Sequence, residues 1–408
     1  MDSPFGSREM ATLSPARQTA GVMMQVGLCY ESVLPARGGC EHYISDLARR
    51  LARDGHGVHL FACRWDASAL PTETHYHQLP TPTGPRFLRP WRFAASCVAA
   101  LKATPVDVSI GFDKTYGQDV LYPQGGLHSA SRAHSFLKHP PGLLRWGARF
   151  LRAFEPSTIS FKRLENKQYL SAHRPLIVVN SQMVRRHFHT YLGIPESEIR
   201  VLYSAIDPER FANAAREQQR QSERTAWQVS PETPVGLFVA MNYRLKGLGP
   251  LLRSLVHIPA AQPFHLIVVG AAKFSRYLAL AKQLGVQERV TFLGFRADPS
   301  PAFFGADFLI HPTFYDPGSL VALEALACGL PVVTSQFNGA SELLHPPTDG
   351  LVIADPHDAK ALGAAISDMA NTEQLPARKE AARQSGRAWT FEMHYAALLK
   401  ILEEARTS

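Results

Sequence analysis

Cysteine, long apolar runs and an apolar leader are all scarce in this chain. The five cysteines are scattered, and none lies closer than 11 positions to the next. This spacing excludes a disulfide-stapled secreted scaffold and indicates reduced thiols in the core of a cytosolic protein. No apolar stretch approaches the roughly 18 residues that a membrane-spanning helix needs. The first 20 residues lack the apolar core of a signal peptide, so we predict a disordered leader over 1–21.

Two kinds of motif are also missing, and each absence argues against a class of function. The glycine spacing lacks G-x-G-x-x-G, which disfavours a nicotinamide or flavin dinucleotide. The chain contains no D-x-D and no His, Cys, Asp or Glu cluster with metal-ligand spacing. We therefore expect no metal and no organic cofactor.

The bulk composition fits a soluble protein with an anionic partner. Hydrophobic residues make up 45% of the 408, and this length allows two domains that each bury a core. The formal net charge of +8 favours a neighbour such as membrane headgroups, nucleic acid or a phosphorylated substrate. Charge alone does not choose among these three.

Strand-like and helical segments alternate twice along the chain. This alternation predicts two α/β domains with parallel doubly wound sheets, at 22–204 and 233–389, joined by a polar linker at 205–232. A final helical tract occupies 390–408. The predicted strands are Val22–Tyr30, Val58–Ala62, Val106–Gly111, Leu176–Asn180, Val235–Ala240, His265–Gly270, Val290–Leu293 and Phe308–His311. Ligands of such sheets bind at the carboxyl ends of the strands, so we expect the site in the cleft between the domains.

A carboxylate interrupts an otherwise apolar helix in the second domain. The neighbours of Glu324 one helical turn away are apolar, so its side chain projects from a face that should be buried. Burying an unpaired charge is costly, and no Arg or Lys lies within this helix. Hydroxyl groups of a ligand are the expected partners, and a structural pairing with a distant Arg is the alternative.

A second carboxylate, Asp316, stands eight positions earlier. Between the two, Pro317, Gly318 and Ser319 predict a chain break and an N-cap, after which the first N–H groups of the helix lie free to bind an anion. Gly329 predicts the end of the helix.

The pattern Asp316-x7-Glu324 resembles the signature of retaining glycosyltransferases of family 4, in which two acidic residues flank seven others. The resemblance implies the GT-B fold, with two facing Rossmann-like domains and a last helix that returns to the first domain. It also implies that Glu324 binds the ribose hydroxyls of a nucleotide, and that Asp316 contacts the donor hexose. The family usually has Glu at the position of Asp316.

Two cations are placed to meet the leaving group of a glycosyl donor. Breaking the sugar bond loads about one further negative charge onto the nucleoside diphosphate. Lys246 and Arg244 follow a predicted strand and precede a helix, where phosphate-binding side chains belong. Family 4 enzymes usually carry an Arg five residues before this Lys, where the chain has Met241. Two ordinary surface cations are the alternative interpretation.

Other donor contacts are expected at loops that border the same cleft. Backbone N–H groups of a Gly-Gly loop approach a diphosphate without a side chain in the way. The helix start, the FLGF segment and the NGASELL segment complete this set. The donor-binding candidates are Gly38, Gly39, Gly318, Ser319, Leu320, Phe295 and Glu342.

The acceptor is expected on the first domain. The segment Gly111–Asp119 follows a buried strand and is similar to the lipopolysaccharide core glucosyltransferase branch of the family. Asp119 is the first candidate for the acceptor contact, and Asp113, Lys114 and His128 are further candidates. A hydrogen-bonded structural role is the alternative for each.

A basic, aromatic segment predicts an interfacial helix. Arg145, Arg149 and Arg152 fall on one face of Gly142–Phe154 and aromatic residues fall on the other. We expect this helix to bind an anionic membrane surface, with packing on its own domain as the alternative. No nucleic-acid recognition module is present, so nucleic acid is not an expected partner.

The sequence therefore predicts a cytoplasmic glycosyltransferase, peripheral to the inner face of the membrane. It would transfer a hexose, glucose first, from UDP-hexose to a glycolipid or lipopolysaccharide-core-type acceptor without a metal. The resemblance implies retention of configuration. The alternatives are a GT-B enzyme acting on a free nucleotide sugar, such as an epimerase or a sugar-phosphate synthase, and a non-catalytic membrane or partner-binding scaffold.

Overall fold

The computed structural model describes residues 23–35, 38–139, 155–172, 174–211 and 215–407. Two domains, each a parallel sheet flanked by helices, make up this part of the chain. The predicted α/β class with two Rossmann-like domains is confirmed. The predicted leader at 1–21 and the basic segment with Arg145, Arg149 and Arg152 lie outside the described residues.

The first sheet has seven strands in the order β5-β3-β1-β6-β7-β8-β9, and its paired strands run parallel. A two-residue pair, β2 with β4, lies beside it. The strands are β1 Gln25–Cys29, β2 Ser32–Val33, β3 Gly57–Ala62, β4 Arg64–Trp65, β5 His75–Gln78, β6 Val108–Phe112, β7 Val120–Tyr122, β8 Leu176–Val179 and β9 Ile199–Val201.

The second sheet has six parallel strands in the order β12-β11-β10-β13-β14-β15. Its central strands are apolar without alternation because helices cover both faces. The strands are β10 Val235–Ala240, β11 His265–Gly270, β12 Val290–Gly294, β13 Phe308–His311, β14 Val332–Ser335 and β15 Gly350–Ile353.

The helices follow the capping signals of the sequence. Ser319 accepts a hydrogen bond from the Ala322 N–H at 3.4 Å and starts the helix that carries Glu324, and Gly329 follows its end at φ 66°. Both signals were predicted and are confirmed. The helices are α1 Gly39–Arg53, α2 Arg89–Ala103, α3 His128–Leu137, α4 Pro156–Tyr169, α5 Gln182–Leu192, α6 Arg216–Ala226, α7 Leu248–Ser254, α8 Ser275–Gln283, α9 Ser300–Gly305, α10 Leu320–Ala327, α11 Ala359–Met369, α12 Leu375–Ala388 and α13 Phe391–Thr407.

Two segments lie where the chain crosses between the domains. The last helix, α13, buries Phe391, Tyr395 and Leu398 in the core of the first domain. The segment expected to be a polar linker packs on the second domain instead, where Trp227 joins the core and Arg224 pairs with buried Asp307 at 3.2 Å. The inward face of α6 is itself charged, because Arg220 and Arg224 both bind Asp307, and this explains why the sequence pattern indicates a linker.

Candidate active site

Three side chains from two loops of the second domain form a compact charged cluster. The Lys246 Nζ donates to Asp316 Oδ2 at 2.5 Å and to the Tyr315 carbonyl at 3.3 Å. His311, the last residue of β13, places its Nε2 at 3.2 Å from the same Asp316 oxygen. Two predicted residues, Lys246 and Asp316, therefore come together at the carboxyl edge of the sheet.

The electrostatics of this cluster keep Asp316 ionised. Burial alone would raise the pKa of Asp316, but Lys246 and His311 together hold it well below its ordinary value. Burial lowers the pKa of His311, so the ring is neutral and its Nε2–H donates to the carboxylate. The His311 Nδ1 finds no hydrogen-bond partner in the described residues. The cluster presents an ionised acceptor, Asp316, beside an ammonium that has donor capacity to spare.

A glycine holds Lys246 in position. Gly247 has φ 84°, and a Cβ built on it would lie 2.1 Å from the Pro312 carbonyl oxygen. Only glycine fits such a close approach in the left-handed region. The loop that precedes α7 is joined to the loop after β13 by a hydrogen bond from the Phe314 N–H to the Leu245 carbonyl at 2.9 Å. These contacts fix the lysine opposite Asp316.

The two domains meet at the start of α10. A Cβ on Gly39, in the first turn of α1, would lie 2.7 Å from Leu320 Cδ1. Gly38, the extended residue before α1, adjoins it. The predicted Gly38–Gly39 loop thus lies against the predicted helix start at Gly318, Ser319 and Leu320. The starts of α1 and α10, one from each domain, therefore lie close together, and the free N–H groups of helix starts favour an oxyanion.

Glu324 lies half-buried in α10 without a partner. Its carboxylate forms no ion pair and no side-chain hydrogen bond with any residue that the structure describes. Burial raises the pKa of Glu324 to about 7, and the charge of Arg210 offsets only part of this rise. A carboxylate in this state gains most from ligand hydroxyls that donate to it.

Phe295 and Arg244 remain exposed near the cleft. Phe295 follows β12 and is 57% exposed, so its ring is open to a ligand. The Arg244 guanidinium is hydrogen-bonded to the His139 ring of the first domain at 2.9 Å and does not join the Lys246 cluster. Its predicted role at the diphosphate stays a prediction, and its described contact is between the domains.

Three predicted acceptor residues line one cavity. Asp113, Lys114 and His128 border a space of about 240 Å³ at the carboxyl edge of the first sheet. The Asp113 Oδ1 accepts the Gly125 N–H at 2.9 Å, and the neighbouring Gly126 faces the Tyr315 hydroxyl of the second domain. Burial first, and then Lys114, lower the pKa of His128 to about 4, so its ring is neutral at pH 7.

The structure contradicts the role expected of Asp119. Its carboxylate accepts from the Ser109 N–H at 2.7 Å and from the Ser109 hydroxyl at 2.6 Å. Asp119 immediately precedes β7, which pairs parallel with β6, so it lies at the amino edge of the sheet. The acceptor cleft is at the opposite edge, and Asp119 is therefore wrong as an acceptor contact.

Glu342 joins the domains. Its two carboxylate oxygens accept the Gln182 and Met183 N–H groups, each at 2.7 Å, at the start of α5. Nearby, the Ser181 hydroxyl donates to the Pro317 carbonyl at 2.7 Å. These bonds hold the first domain against the loop that carries Asp316. The predicted donor contact of Glu342 is not shown by these bonds and stays a prediction.

His311 is the site residue that sequence reasoning missed. It ends a predicted strand five positions before Asp316, and a polar residue at the carboxyl end of a buried strand is the signal that could have found it. In the described residues no group of three His, Cys, Asp or Glu side chains is arranged to hold a metal ion. Nor does any helix there have the length and apolar character to cross a membrane.

Both halves of the chain match known families. Residues 37–210 match the family described as Glycosyltransferase Family 4, and residues 219–388 match Glycosyl transferases group 1. The chain is therefore a glycosyltransferase of the GT-B class and belongs to family 4, as the Asp316-x7-Glu324 pattern indicated.

Two known glycosyltransferases are similar to this chain over most of their length. The lipopolysaccharide glucosyltransferase WaaG of Escherichia coli K12 is 27% identical over 345 residues, which are 83% of this chain and 87% of that protein. A D-inositol 3-phosphate glycosyltransferase of Xylanimonas cellulosilytica is 26% identical over 393 residues, 90% of this chain and 92% of that protein.

Solved structures share the fold. A crystal structure of WaaG matches with a TM-score of 0.75 at 22% identity and covers 92% of this chain and 99% of that one. Anabaena HepE in complex with UDP-glucose matches with a TM-score of 0.68 at 19% identity and covers 93% and 100%. The predicted GT-B fold is confirmed.

Proposed function

We propose that this protein transfers a hexose, with glucose as the first candidate, from UDP-hexose to a glycolipid or lipopolysaccharide-core-type acceptor. The transfer retains the anomeric configuration and uses no metal ion. The observation that carries the proposal is the Lys246–Asp316 pair in the loops before α10, together with Glu324 in that helix, which has no partner among the described residues.

The donor binds where the starts of α1 and α10 meet. Glu324 accepts the ribose hydroxyls, which satisfies a half-buried carboxylate that has no partner among the described residues. Lys246 and the N–H groups at the start of α10 meet the diphosphate. Asp316 accepts a hydroxyl of the hexose, because its low pKa keeps it an acceptor at any working pH.

The chemistry needs little from the protein beyond this charge arrangement. As the bond between the anomeric carbon and the phosphate oxygen breaks, negative charge grows on the diphosphate and Lys246 stabilises it. The acceptor oxygen bonds to the anomeric carbon on the face that the phosphate leaves. Its proton passes to the departing phosphate oxygen, so no side-chain base is required and no divalent cation has to neutralise the leaving group.

The relatives support the substrates only by analogy. WaaG acts as a lipopolysaccharide glucosyltransferase, and HepE binds UDP-glucose. A lipid-linked acceptor would place the enzyme in the cytoplasm at the inner face of the membrane. Arg145, Arg149 and Arg152 would contact its anionic headgroups, a part of the proposal that rests on the sequence pattern alone.

Donor turnover in the presence of EDTA tests the proposal. We expect purified protein to release UDP from UDP-glucose at the same rate with excess EDTA as with Mg²⁺, using a lipopolysaccharide that lacks its outer core as acceptor. Lys246 and the helix start supply the positive charge that a metal would otherwise supply. The measurement is UDP release over time, with UDP-galactose and UDP-N-acetylglucosamine as competitors.

Other outcomes separate the alternatives. Loss of activity in EDTA that Mg²⁺ restores would contradict the metal-independent mechanism. A changed sugar nucleotide formed without any acceptor would identify an epimerase. A ligand that binds only the folded form raises the melting temperature. If UDP left the melting temperature of this protein unchanged, the protein would be a scaffold that has lost donor binding.

A further inference from the structure

A second and larger cavity of the first domain carries arginines without partners. It is an open cleft of about 690 Å³ with exposed arginines at its rim, and it shares Asp113, Lys114 and Phe161 with the smaller acceptor cavity. Arg64 and Arg86 line it, and neither forms an ion pair or a side-chain hydrogen bond in the described part of the chain. Arg89, also in its wall, is held by a hydrogen bond from its Nε to the Gly84 carbonyl at 3.0 Å.

The backbone around these arginines also favours an anion. Helix α2 begins at Arg89, and helix α4 begins at Pro156 with Ser157 in the cavity wall. The starts of two helices therefore border the same space, and each adds partial positive charge there. Unpaired guanidinium groups beside them offer bidentate donors that match the oxygens of a phosphate or a carboxylate.

The cavity is not uniformly basic. Glu31 and Glu41 also line it, and Glu41 lies next to Gly38 at the start of α1. The Glu31 carboxylate forms no ion pair and no side-chain hydrogen bond with any described residue. Carboxylates accept sugar hydroxyls, whereas guanidinium groups donate to anions. The lining therefore suits a molecule with hydroxyl groups and an anionic substituent.

We propose that the acceptor carries an oxyanion substituent, a phosphate or a carboxylate, which Arg64 and Arg86 bind with Arg89 beside them. The inference rests on the proposed function in assigning this cavity to the acceptor. The inference adds to the proposed function the chemical class of the acceptor and the residues that select this acceptor. The reacting hydroxyl lies towards Asp113 and Gly126, where the two domains meet.

Calorimetric titration of UDP-saturated protein tests the inference. The probes are glucose 6-phosphate, glucuronate and methyl glucoside, which differ in the anionic group. Charge-assisted hydrogen bonds to two arginines should make the anionic probe bind about tenfold to a hundredfold more tightly than methyl glucoside. Preference for glucose 6-phosphate identifies a phosphate site, and preference for glucuronate identifies a carboxylate site.

A charge-matched pair of variants completes the design. The double substitution Arg64→Ala and Arg86→Ala should abolish the preference, while Lys102→Ala with Lys282→Ala, two exposed lysines away from the cavity, should leave it intact. UDP affinity should be unchanged in both, which also shows that the variants fold. Equal affinity of the wild type for all three probes, or an unchanged preference in the arginine variant, would overturn the inference. Failure of the wild type to bind UDP would instead overturn the proposed function.

Discussion

Replacing Glu324 with glutamine should cut donor turnover while making the free protein more stable at pH 8. The carboxylate lies half-buried with no ion pair or hydrogen bond to any described residue, and burial raises its pKa from 4.5 to about 7. We expect kcat/KM for UDP-glucose to fall about tenfold to a hundredfold, because ribose hydroxyls lose a charged acceptor. Glu324→Ala, which leaves no acceptor at all, should abolish turnover.

Glu324→Gln should lower turnover but raise stability, because burial opposes ionisation of the wild-type carboxylate. A group with a raised folded pKa contributes stability below its unfolded pKa, and that contribution is lost as the pH rises through the folded value. At pH 8 the wild type therefore bears the cost of a buried charge, about 2 kcal/mol after allowance for its partial exposure. The neutral glutamine does not bear this cost. In denaturant titrations, the difference in free energy of unfolding between the variant and the wild type should therefore shrink as the pH falls from 8 to 5.

Glu288→Gln is the matched control, because Glu288 is an exposed glutamate of the same domain. It should change neither turnover nor stability. Wild-type donor affinity in Glu324→Gln would mean that the carboxylate has a structural role. Equal stability of the wild type and Glu324→Gln at pH 8 would mean that the Glu324 carboxylate is not both buried and unpaired in solution.

Features that depend on local chain chemistry could be predicted from the sequence. The cap at Ser319, the stop at Gly329 and the apolar strand β13 each follow from a few adjacent residues. Lys246 and Asp316 could each be assigned to the cleft in this way, whereas their direct pairing depends on β10 lying beside β13.

Features that depend on sheet topology could not be predicted from the sequence. Asp119 was expected in the cleft because its segment follows a buried strand, and only seven residues separate β6 from β7, few for a parallel crossover. The chain nevertheless returns to the amino edge within this loop. The segment around α6 reads as a linker because its buried contacts, such as Trp227 against the second domain, are too few to give an apolar pattern. The pairing of Glu342 with α5 joins residues about 160 positions apart, which no local pattern reveals.

Replacing Lys246 with methionine should have the largest effect on the chemical step. The ammonium lies 2.5 Å from Asp316 Oδ2, also donates to the Tyr315 carbonyl, and has one donor left for the diphosphate. Removing one preorganised donor from developing negative charge typically costs about 10² to 10³ in kcat. We expect a loss of that size in UDP release, with partial recovery in Lys246→Arg. Lys282→Met, at an exposed position on α8, should keep the wild-type rate.

The pH profile distinguishes loss of this charge from general damage. In the wild type, Lys246 and His311 outweigh burial and hold the pKa of Asp316 low, so the aspartate stays an acceptor across the working range. Without the lysine, burial raises this pKa, and a protonated Asp316 can no longer accept the hexose hydroxyl through its protonated oxygen. The residual activity of Lys246→Met should therefore fall as the pH falls, whereas Lys246→Arg should restore the flatter wild-type profile. A wild-type rate in Lys246→Met would place the diphosphate elsewhere, and a reduced rate with an unchanged profile would show that Asp316 does not contact the donor.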